Sequence, residues 1–466
     1  MASDTPIQES FRDRIATVDK AGKRKWIFAL QPKGKWYRAR SWVSYVYFAI
    51  FFGLPFIQVN GRPLFQFNIP EAKFTLFGKV FWPQDFFIFG IITVTFVFFI
   101  ILFTAAFGRL FCGWICPQTI FMEMLFRKVE YLILGSANKQ KILRAQPMNG
   151  RKLFLLTAKH VSFFLLAFII ANFFLAYIIG VGQLEKIITE PLHEHLIGFS
   201  SILVFSLVFY AVYAFFREQV CTVVCPYGRL QGVLLDKNSM IVAYDYKRGE
   251  PRGFSKKADA AFGDCVDCFQ CVRVCPTGID IRNGVQMDCV GCTACIDACD
   301  AVMTKTGKPT GLIRYASENT IAKGDKLHYT TRMKLYTVLC AVMMLVLTTL
   351  LAMQKDVKAT VMRTPGMLFQ ERGRDSVSNL YNIKVVNKTV KEIPLFIKVE
   401  NDAGAVQVIG KPFISVQKEG QGSGSFFVVL PKTMIKTRKT VLNLSLYEGK
   451  DKIASVQTSF LGPVED

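Results

Sequence analysis

Five apolar runs, at about 42–59, 84–107, 160–182, 196–216 and 335–353, are each long enough to cross a bilayer as a helix, and the sequence between them is polar and mostly basic. The first run follows a charged leader of 41 residues that lacks a small-residue cleavage site, so it reads as a retained helix rather than a signal peptide. After about residue 355 the period changes. Segments 382–387, 395–400 and 441–447 alternate polar and apolar residues, and breakers such as Asp402-Ala403-Gly404, the glycine-rich 420–424 and Gly449 separate them. Several short strands over such a length predict an antiparallel, immunoglobulin-like sandwich, large enough to bury a core unaided. It contains no cysteine, hence no disulfide and no thiolate metal site. Its expected work is to hold a partner; otherwise it is a structural cap.

Composition supports this division. Of 466 residues, 51% are hydrophobic and 42 are Phe, yet the formal net charge is +22. Segregation reconciles the two. Segment 108–157 carries eight Lys and Arg, whereas 183–195 carries only Lys186, so the basic side is expected to face the cytoplasm. With five spans, the predicted order is a basic cytoplasmic leader (1–41), a four-span membrane domain (42–216), a cytoplasmic loop (217–334), a fifth span (335–353) and a periplasmic sandwich (355–466). Positive-inside loops account for much of the charge, so nucleic acid is not an expected partner; membrane lipid is.

The loop carries the most specific chemistry. Cys265, Cys268, Cys271 and Cys275 form C-x2-C-x2-C-x3-C, and Cys289, Cys292, Cys295 and Cys299 repeat it 24 positions later. This is the bacterial ferredoxin pattern for two 4Fe–4S clusters, in which three thiolates of each run wrap one cluster and the fourth reaches the other. Cluster one would take Cys265, Cys268, Cys271 and Cys299; cluster two would take Cys289, Cys292, Cys295 and Cys275. Structural zinc prefers two close pairs with a longer spacer, and disulfides need an oxidising compartment, so both fit poorly. One asymmetry stands out: Pro276 follows the first run and Asp300 the second.

A second repeat runs through the membrane part. FGRLFCGWICP at 107–117 and FREQVCTVVCP at 216–226 both place C-x3-C-P just past an even-numbered span, offset by 109 residues. On a continuous helix, Cys112 with Cys116, and Cys221 with Cys225, would share a face, with the following proline breaking or kinking the helix. Four thiols can then converge to hold a further iron–sulfur cluster, chelate Cu(I), or cycle between dithiol and disulfide. Buried apolar thiols are the bland alternative. Cys340 reads as packing within the fifth span. His193 and His195 read as solvated, His160 has no evident axial partner for a haem, and Met122 and Met124 read as packing. There is no G-x-G-x-x-G or phosphate loop around which to build an NAD or ATP site.

This order of motifs resembles the cytochrome c oxidase accessory protein family, called CcoG, FixG or RdxA, from about residue 35 to the end of the chain. The cluster motif is common among electron carriers, and the duplicated C-x3-C-P is shared with polyferredoxin-like membrane proteins; the combination with a cysteine-free tail is what points to the family. The resemblance implies a multi-pass protein of the bacterial cytoplasmic membrane that assists assembly of a cbb-type cytochrome oxidase by reducing Cu(II) to Cu(I). It makes Cys112, Cys116, Cys221 and Cys225 candidates for handling copper or relaying electrons, oxidase subunits or copper-delivery proteins the expected partners, and a homodimer admissible. Two other roles compete: a quinol-linked relay to a periplasmic reductase, and a non-catalytic assembly scaffold.

Overall fold

The computed structural model describes residues 16–463, apart from 19–20, 60, 70–71, 83–84, 192, 254–261, 325–328, 354–355, 367, 390, 401–403 and 436. The first part of the expected leader, the start of the tail near Lys355 and the Asp402-Ala403 breaker thus lie outside the described residues. Two compact units emerge.

The larger unit is helical. Helix α1 spans Lys35–Gly53, α2 Phe86–Phe107, α3 Gly150–Ile179, and α4 Leu196–Ala211, which runs on as a π-turn through Phe216. Among the described residues, four helices are long and apolar enough to cross a membrane: Phe87–Phe107, Gly150–Ile179, Leu196–Phe216 and Thr331–Ala352. The expected first span is not one of them. Helix α1 starts before residue 42, takes in Lys35, Arg38 and Arg40, and gives way at Gly53 to a short turn with Pro55 near its start; residues 58–59 are already a strand. Charges in its first turns and a proline at its end leave too short an apolar stretch. Helix α3, conversely, extends the expected 160–182 span backward to an Asn149 cap, whose side chain accepts from the Lys152 N–H, and stops at Gly180. Much of the expected outer loop after it is a helix, Val181–Thr189.

Between the fourth and fifth apolar runs lies the cysteine-rich segment. Its two short helices, α5 (Gln270–Arg273) and α6 (Ala294–Lys305), each follow a C-x2-C loop, and α7 (Thr331–Ala352) follows them. An antiparallel pair of strands, Ile241–Tyr244 with Ile313–Ala316, closes the segment, and its residues Val242, Tyr244 and Ile313 share one core with Cys265, Cys271, Ile281 and Cys299.

The second unit is the tail. Its strands are β1 (Val357–Arg363), β2 (Gln370–Arg372), β3 (Ser376–Asn387), β4 (Ile393–Val399), β5 (Ala405–Val408), β6 (Ile414–Val416), β7 (Gln421–Pro431), β8 (Lys439–Glu448) and β9 (Asp451–Leu461). One antiparallel sheet runs β5-β7-β3-β1 with β2 on β3, and the other β6-β4-β8-β9. Strand β4 shows why alternation was readable: Ile393, Leu395, Ile397 and Val399 point inward while Pro394, Phe396 and Lys398 point out. The inner faces meet around Tyr381, Phe426, Leu444 and Phe460, and the buried Tyr381 hydroxyl is satisfied by donating to the Ser459 carbonyl at 2.9 Å.

This unit also recruits two small hairpins that the sequence reading had placed with the helices, Gln58–Val59 with Arg62–Pro63 and Lys73–Leu76 with Lys79–Phe81. Glu419 accepts from both Arg62 and Lys73 at 2.6 Å, and Lys388 reaches Asp85 at 2.6 Å, with both partners buried. Isolated charges at 62, 73 and 85 gave no sequence signal for these long-range pairs.

Candidate metal centre

Each C-x2-C-x2-C loop is wound by two residues in the left-handed region: Asp267 (φ 51°) and Phe269 (φ 55°) in the first, Gly291 (φ 67°) and Thr293 (φ 63°) in the second, again 24 positions apart. Left-handed non-glycine residues are uncommon, and alternating right- and left-handed residues turn successive N–H groups into a concave nest of the kind that cradles iron–sulfur sites. The thiols gather as two sets. Cys299 lies within electrostatic reach of Cys265, Cys268 and Cys271, and Cys295 within reach of Cys275, Cys289 and Cys292. The fourth cysteine of each run therefore lies with the other run's first three. Cys275, Cys289, Cys292 and Cys295 line one hollow, and Cys271 of the other set lines it too, so the two sets adjoin.

Two such sets of four soft donors, each round a nest, fit a pair of 4Fe–4S clusters. Burial pushes the free thiols up, Cys271 and Cys299 to about 12 and Cys292 to about 11. Iron binding must therefore expel protons, and a thiol that failed to find metal would stay neutral. The Thr277 and Ile279 N–H groups face Cys275, and the Gly291 N–H faces Cys289; such contacts to sulfur tune a cluster's potential. Asp300, the departure from proline, continues α6 and accepts from the Gly311 N–H at 2.8 Å.

The C-x3-C-P cysteines also converge, but not on helical faces. Cys112 lies in the short helix Leu110–Trp114, and the chain then turns so that Cys116 is extended (φ −58°, ψ 125°). Cys221 lies in a π-turn, and Cys225 is extended in the same way (φ −70°, ψ 114°). Pro117 and Pro226 therefore open the helices Pro117–Phe121 and Pro226–Leu234 instead of kinking one already running, which is the position where a missing N–H is harmless. Cys221 lies within electrostatic reach of Cys112, Cys116 and Cys225. Gln231 donates to Cys112 Sγ at 3.1 Å, and burial raises Cys112 to about 11 and Cys221 to about 12. Three π-turns, Met122–Phe126, Val212–Phe216 and Val220–Val224, surround these motifs, a distortion common at functional sites and invisible to a search for helical periodicity.

This four-thiol site abuts the second cluster loop. Cys221 packs in one group with Val274, Val290, Cys292 and Ala294. Gly113, between Cys112 and Trp114, approaches Gly291 so closely that a Cβ there would stand 2.5 Å from the Gly291 carbonyl oxygen; a Cβ on Gly291 would stand 2.8 Å from that of Arg109. Arg109, buried, donates to the carbonyls of Cys289 (2.8 Å), Gly228 (3.2 Å) and Met287, joining both C-x3-C-P motifs to the cluster loop. Trp114 Nε1 donates to the Tyr315 hydroxyl at 3.2 Å, and that hydroxyl in turn donates to the Gly291 carbonyl at 3.4 Å.

Beside Cys221 lies a buried charge network that sequence reasoning missed. Glu130 accepts from Arg217 at 2.9 and 3.1 Å and from Lys159 at 2.9 Å, while Glu218 meets Arg24 at 3.1 Å and Arg127 at 3.7 Å. Burial alone would raise the Glu130 carboxyl, but Arg217 and Lys159 hold it at about 2. The other singled-out residues are peripheral. Cys340 is buried in α7, Met122 and Met124 pack in the interior, and the His160 ring nitrogen Nδ1 shares a hydrogen with the Tyr210 hydroxyl at 2.8 Å. His193 is exposed, whereas His195 joins Glu190 and Glu194 in a surface group.

Two ferredoxin-type thiol sets beside helices long and apolar enough to cross a membrane define a membrane-bound iron–sulfur electron-transfer protein. Comparison with known proteins agrees segment by segment: residues 216–318 match the family described as a 4Fe-4S dicluster domain, 89–137 a 4Fe-4S binding domain, and 347–463 the IG-like fold at the C-terminal of FixG. The chain is 32% identical over 398 residues to Protein RdxA of Cereibacter sphaeroides, covering 81% of this chain and 83% of RdxA. It is 36% identical over 304 residues to Nitrogen fixation protein FixG of Rhizobium meliloti, covering 63% of this chain and 58% of FixG. A crystal structure of a FixG-related protein from Vibrio parahaemolyticus aligns over 24% of this chain and 100% of that one, at 21% identity and a TM-score of 0.21. The chain belongs to the FixG/RdxA family.

Proposed function

We propose that this protein reduces Cu(II) to Cu(I) in support of cbb-type cytochrome oxidase assembly, with its clusters on the cytoplasmic side and its sandwich in the periplasm. One observation carries the reading: the four thiols of the duplicated C-x3-C-P motifs gather at a site that meets the second cluster loop through Cys221 and Gly113. Soft thiolates hold Cu(I) better than Cu(II), so a site made of Cys112, Cys116, Cys221 and Cys225 favours the reduced product. When bound, the clusters supply one electron each. The chain's own part is positional. Gly113 and Gly291 let the two loops touch, Arg109 clamps them together, and Gln231 directs a donor at Cys112. No proton-transfer machinery is needed for a one-electron reduction of a metal ion. The positive-inside distribution of Lys and Arg supports the sidedness, and the destination oxidase follows from the family resemblance.

The test is anaerobic. Protein with reduced clusters is mixed with stoichiometric Cu(II), and cluster oxidation is followed together with Cu(I) capture by a colorimetric chelator. Coupled turnover that disappears in Cys112→Ser and Cys221→Ser supports the reading. Clusters that remain reduced in the presence of Cu(II) overturn it.

A further inference from the structure

Between α2 and α7 lies a cleft of about 470 Å³ whose walls are almost wholly apolar: Phe99, Leu102, Phe103 and Ala106 from α2, and Met333 from α7. One end is polar. Asn238, Tyr329 and Thr337 line it, the Tyr329 and Thr337 hydroxyls are paired, and the Asn238 Oδ1 accepts from Asn319 at 2.6 Å. That volume suits a small organic ligand, and the combination of a long apolar trough with hydroxyl and amide groups at one end suits a lipid-soluble ring carrying two hydroxyls.

The floor of the cleft distinguishes it from an ordinary lipid groove. Phe107 and Met240 line both this cleft and a second hollow, and the second hollow is lined in turn by Ile241, Cys289 and Gly291. A ring seated among Phe103, Phe107 and Met240 lies across Phe107 and Met240 from the hollow that Cys289 lines. The Met240 N–H donates to the Ala106 carbonyl at 3.2 Å, and the Ser239 hydroxyl to the Ala105 carbonyl at 2.7 Å, so the cluster-bearing segment is fastened to the end of α2 where the cleft begins. A lipid tail would need neither the polar end nor this approach to a thiol set.

We infer that this cleft binds a membrane quinol, which is the electron donor to the clusters. Oxidation of one quinol to its quinone releases two electrons and two protons; one electron goes to each of the two clusters, and the protons leave to water at the polar end, where Tyr329 is exposed. The inference goes beyond the proposed function by naming the donor, and it is indifferent to whether copper is the acceptor.

The experiment therefore contains no copper. Purified full-length protein with intact clusters is illuminated with a photoreactive azidoquinone, and labelled peptides are mapped by mass spectrometry. In parallel, pre-reduced protein is mixed with a short-chain quinone, because electron transfer between ring and cluster uses the same site in either direction. Labelling of the peptides around Phe103 and Met333, displaced by unlabelled quinol, is expected together with a reoxidation rate that saturates. Phe103→Trp, which fills the trough, is expected to abolish labelling and to raise the half-saturating quinone concentration about tenfold or more. Val97→Trp introduces the same indole on an exposed part of α2 that does not line the cleft, and is expected to match the unmodified protein in both readouts. Labelling elsewhere overturns the proposal, as does a rate that rises linearly with quinone or a Phe103→Trp variant no different from Val97→Trp.

Discussion

The two cysteine runs share a spacing and a backbone winding, yet their surroundings differ. Run one turns to solvent: Cys268 is exposed, Phe269 is half-exposed with Arg282 stacked 4.2 Å above its ring, and Asp267 at the left-handed position carries a side chain that pairs with Arg282. Run two turns inward. Its equivalent of Asp267 is Gly291, where any Cβ would strike the Arg109 carbonyl, and its Cys292 is buried against Val290 and the C-x3-C-P thiol Cys221. One cysteine pattern thus sits in two surroundings, one at the protein surface and one against the C-x3-C-P thiols. The pattern alone cannot distinguish them, because ligand spacing is fixed by the cluster and the outer contacts are fixed by whatever the loop packs against.

Replacing ligands gives the largest effect. Cys299→Ser and Cys265→Ser should lose the same cluster although they lie in different runs, and Cys275→Ser and Cys289→Ser should lose the other. Iron content would fall by roughly half in each, with the surviving electron paramagnetic resonance signal pairing the variants as stated. If Cys299→Ser keeps the signal that Cys289→Ser keeps, the crossing of the runs is refuted. Next comes the charge network beside the inner cluster. Glu130→Gln leaves Arg217 and Lys159 buried without their carboxylate, at about 3–5 kcal/mol. Because the folded Glu130 is held at about 2, below its unfolded value, its contribution is complete above about pH 4 and fades as pH falls toward 2. Thermal unfolding across that window should show a falling limb in the unmodified protein that is shallower in Glu130→Gln.

A smaller change exchanges the two surroundings. Gly291→Asp gives run two the residue of run one, and its side chain cannot fit against Arg109; a cost of about 1–3 kcal/mol is expected, with both clusters retained and coupling to the four thiols reduced. The reciprocal Asp267→Gly keeps the left-handed turn and leaves Arg282 its pair with Asp280, so stability should move by only about 0.5 kcal/mol. Equal losses in the two variants, read as unfolding midpoints at matched iron content, would show that the inner and outer positions are not distinct.

What could be read from the sequence follows from the range of each interaction. The gathering of the thiols was legible because all eight cysteines fall in one short segment with fixed spacing, and β4 was legible because one face is buried and the other is not. Four of five apolar runs appear as candidate spans. The first did not, since α1 takes in Lys35, Arg38 and Arg40 and ends at Gly53 just before Pro55, which leaves too short an apolar stretch; Arg40, outside the expected span, is itself a structural contact, its Nε donating to the Gly113 carbonyl at 2.7 Å. The C-x3-C-P pairs were found, but their geometry was misjudged, because i,i+4 periodicity presumes a continuous helix and each pair straddles a break set by its proline. The Arg109 clamp, the Glu130 network and the hairpins recruited to the sandwich join residues far apart in the chain, and single charges announce none of them.

Asp297 offers the finest test of the inner position. Its run-one counterpart, 24 residues earlier, is Arg273, near the surface. Asp297 is buried between Cys295 and Cys299, and its carboxylate accepts from the Trp36 N–H at 3.1 Å and the Tyr37 N–H at 2.7 Å, satisfying the first turn of α1, which Gly34 cannot cap. A cap supplied by another segment makes α1 and the second cluster loop one mechanical piece. Asp297→Ala should therefore cost about 1 kcal/mol, in the range of a lost N-cap, and should loosen α1 and run two together in hydrogen exchange. Asp297→Asn retains an acceptor and should recover part of that loss, while Arg273→Ala should shift stability by no more than about 0.5 kcal/mol. Faster exchange confined to α1, with run two as protected as before, would mean that the carboxylate caps the helix without coupling it to the cluster.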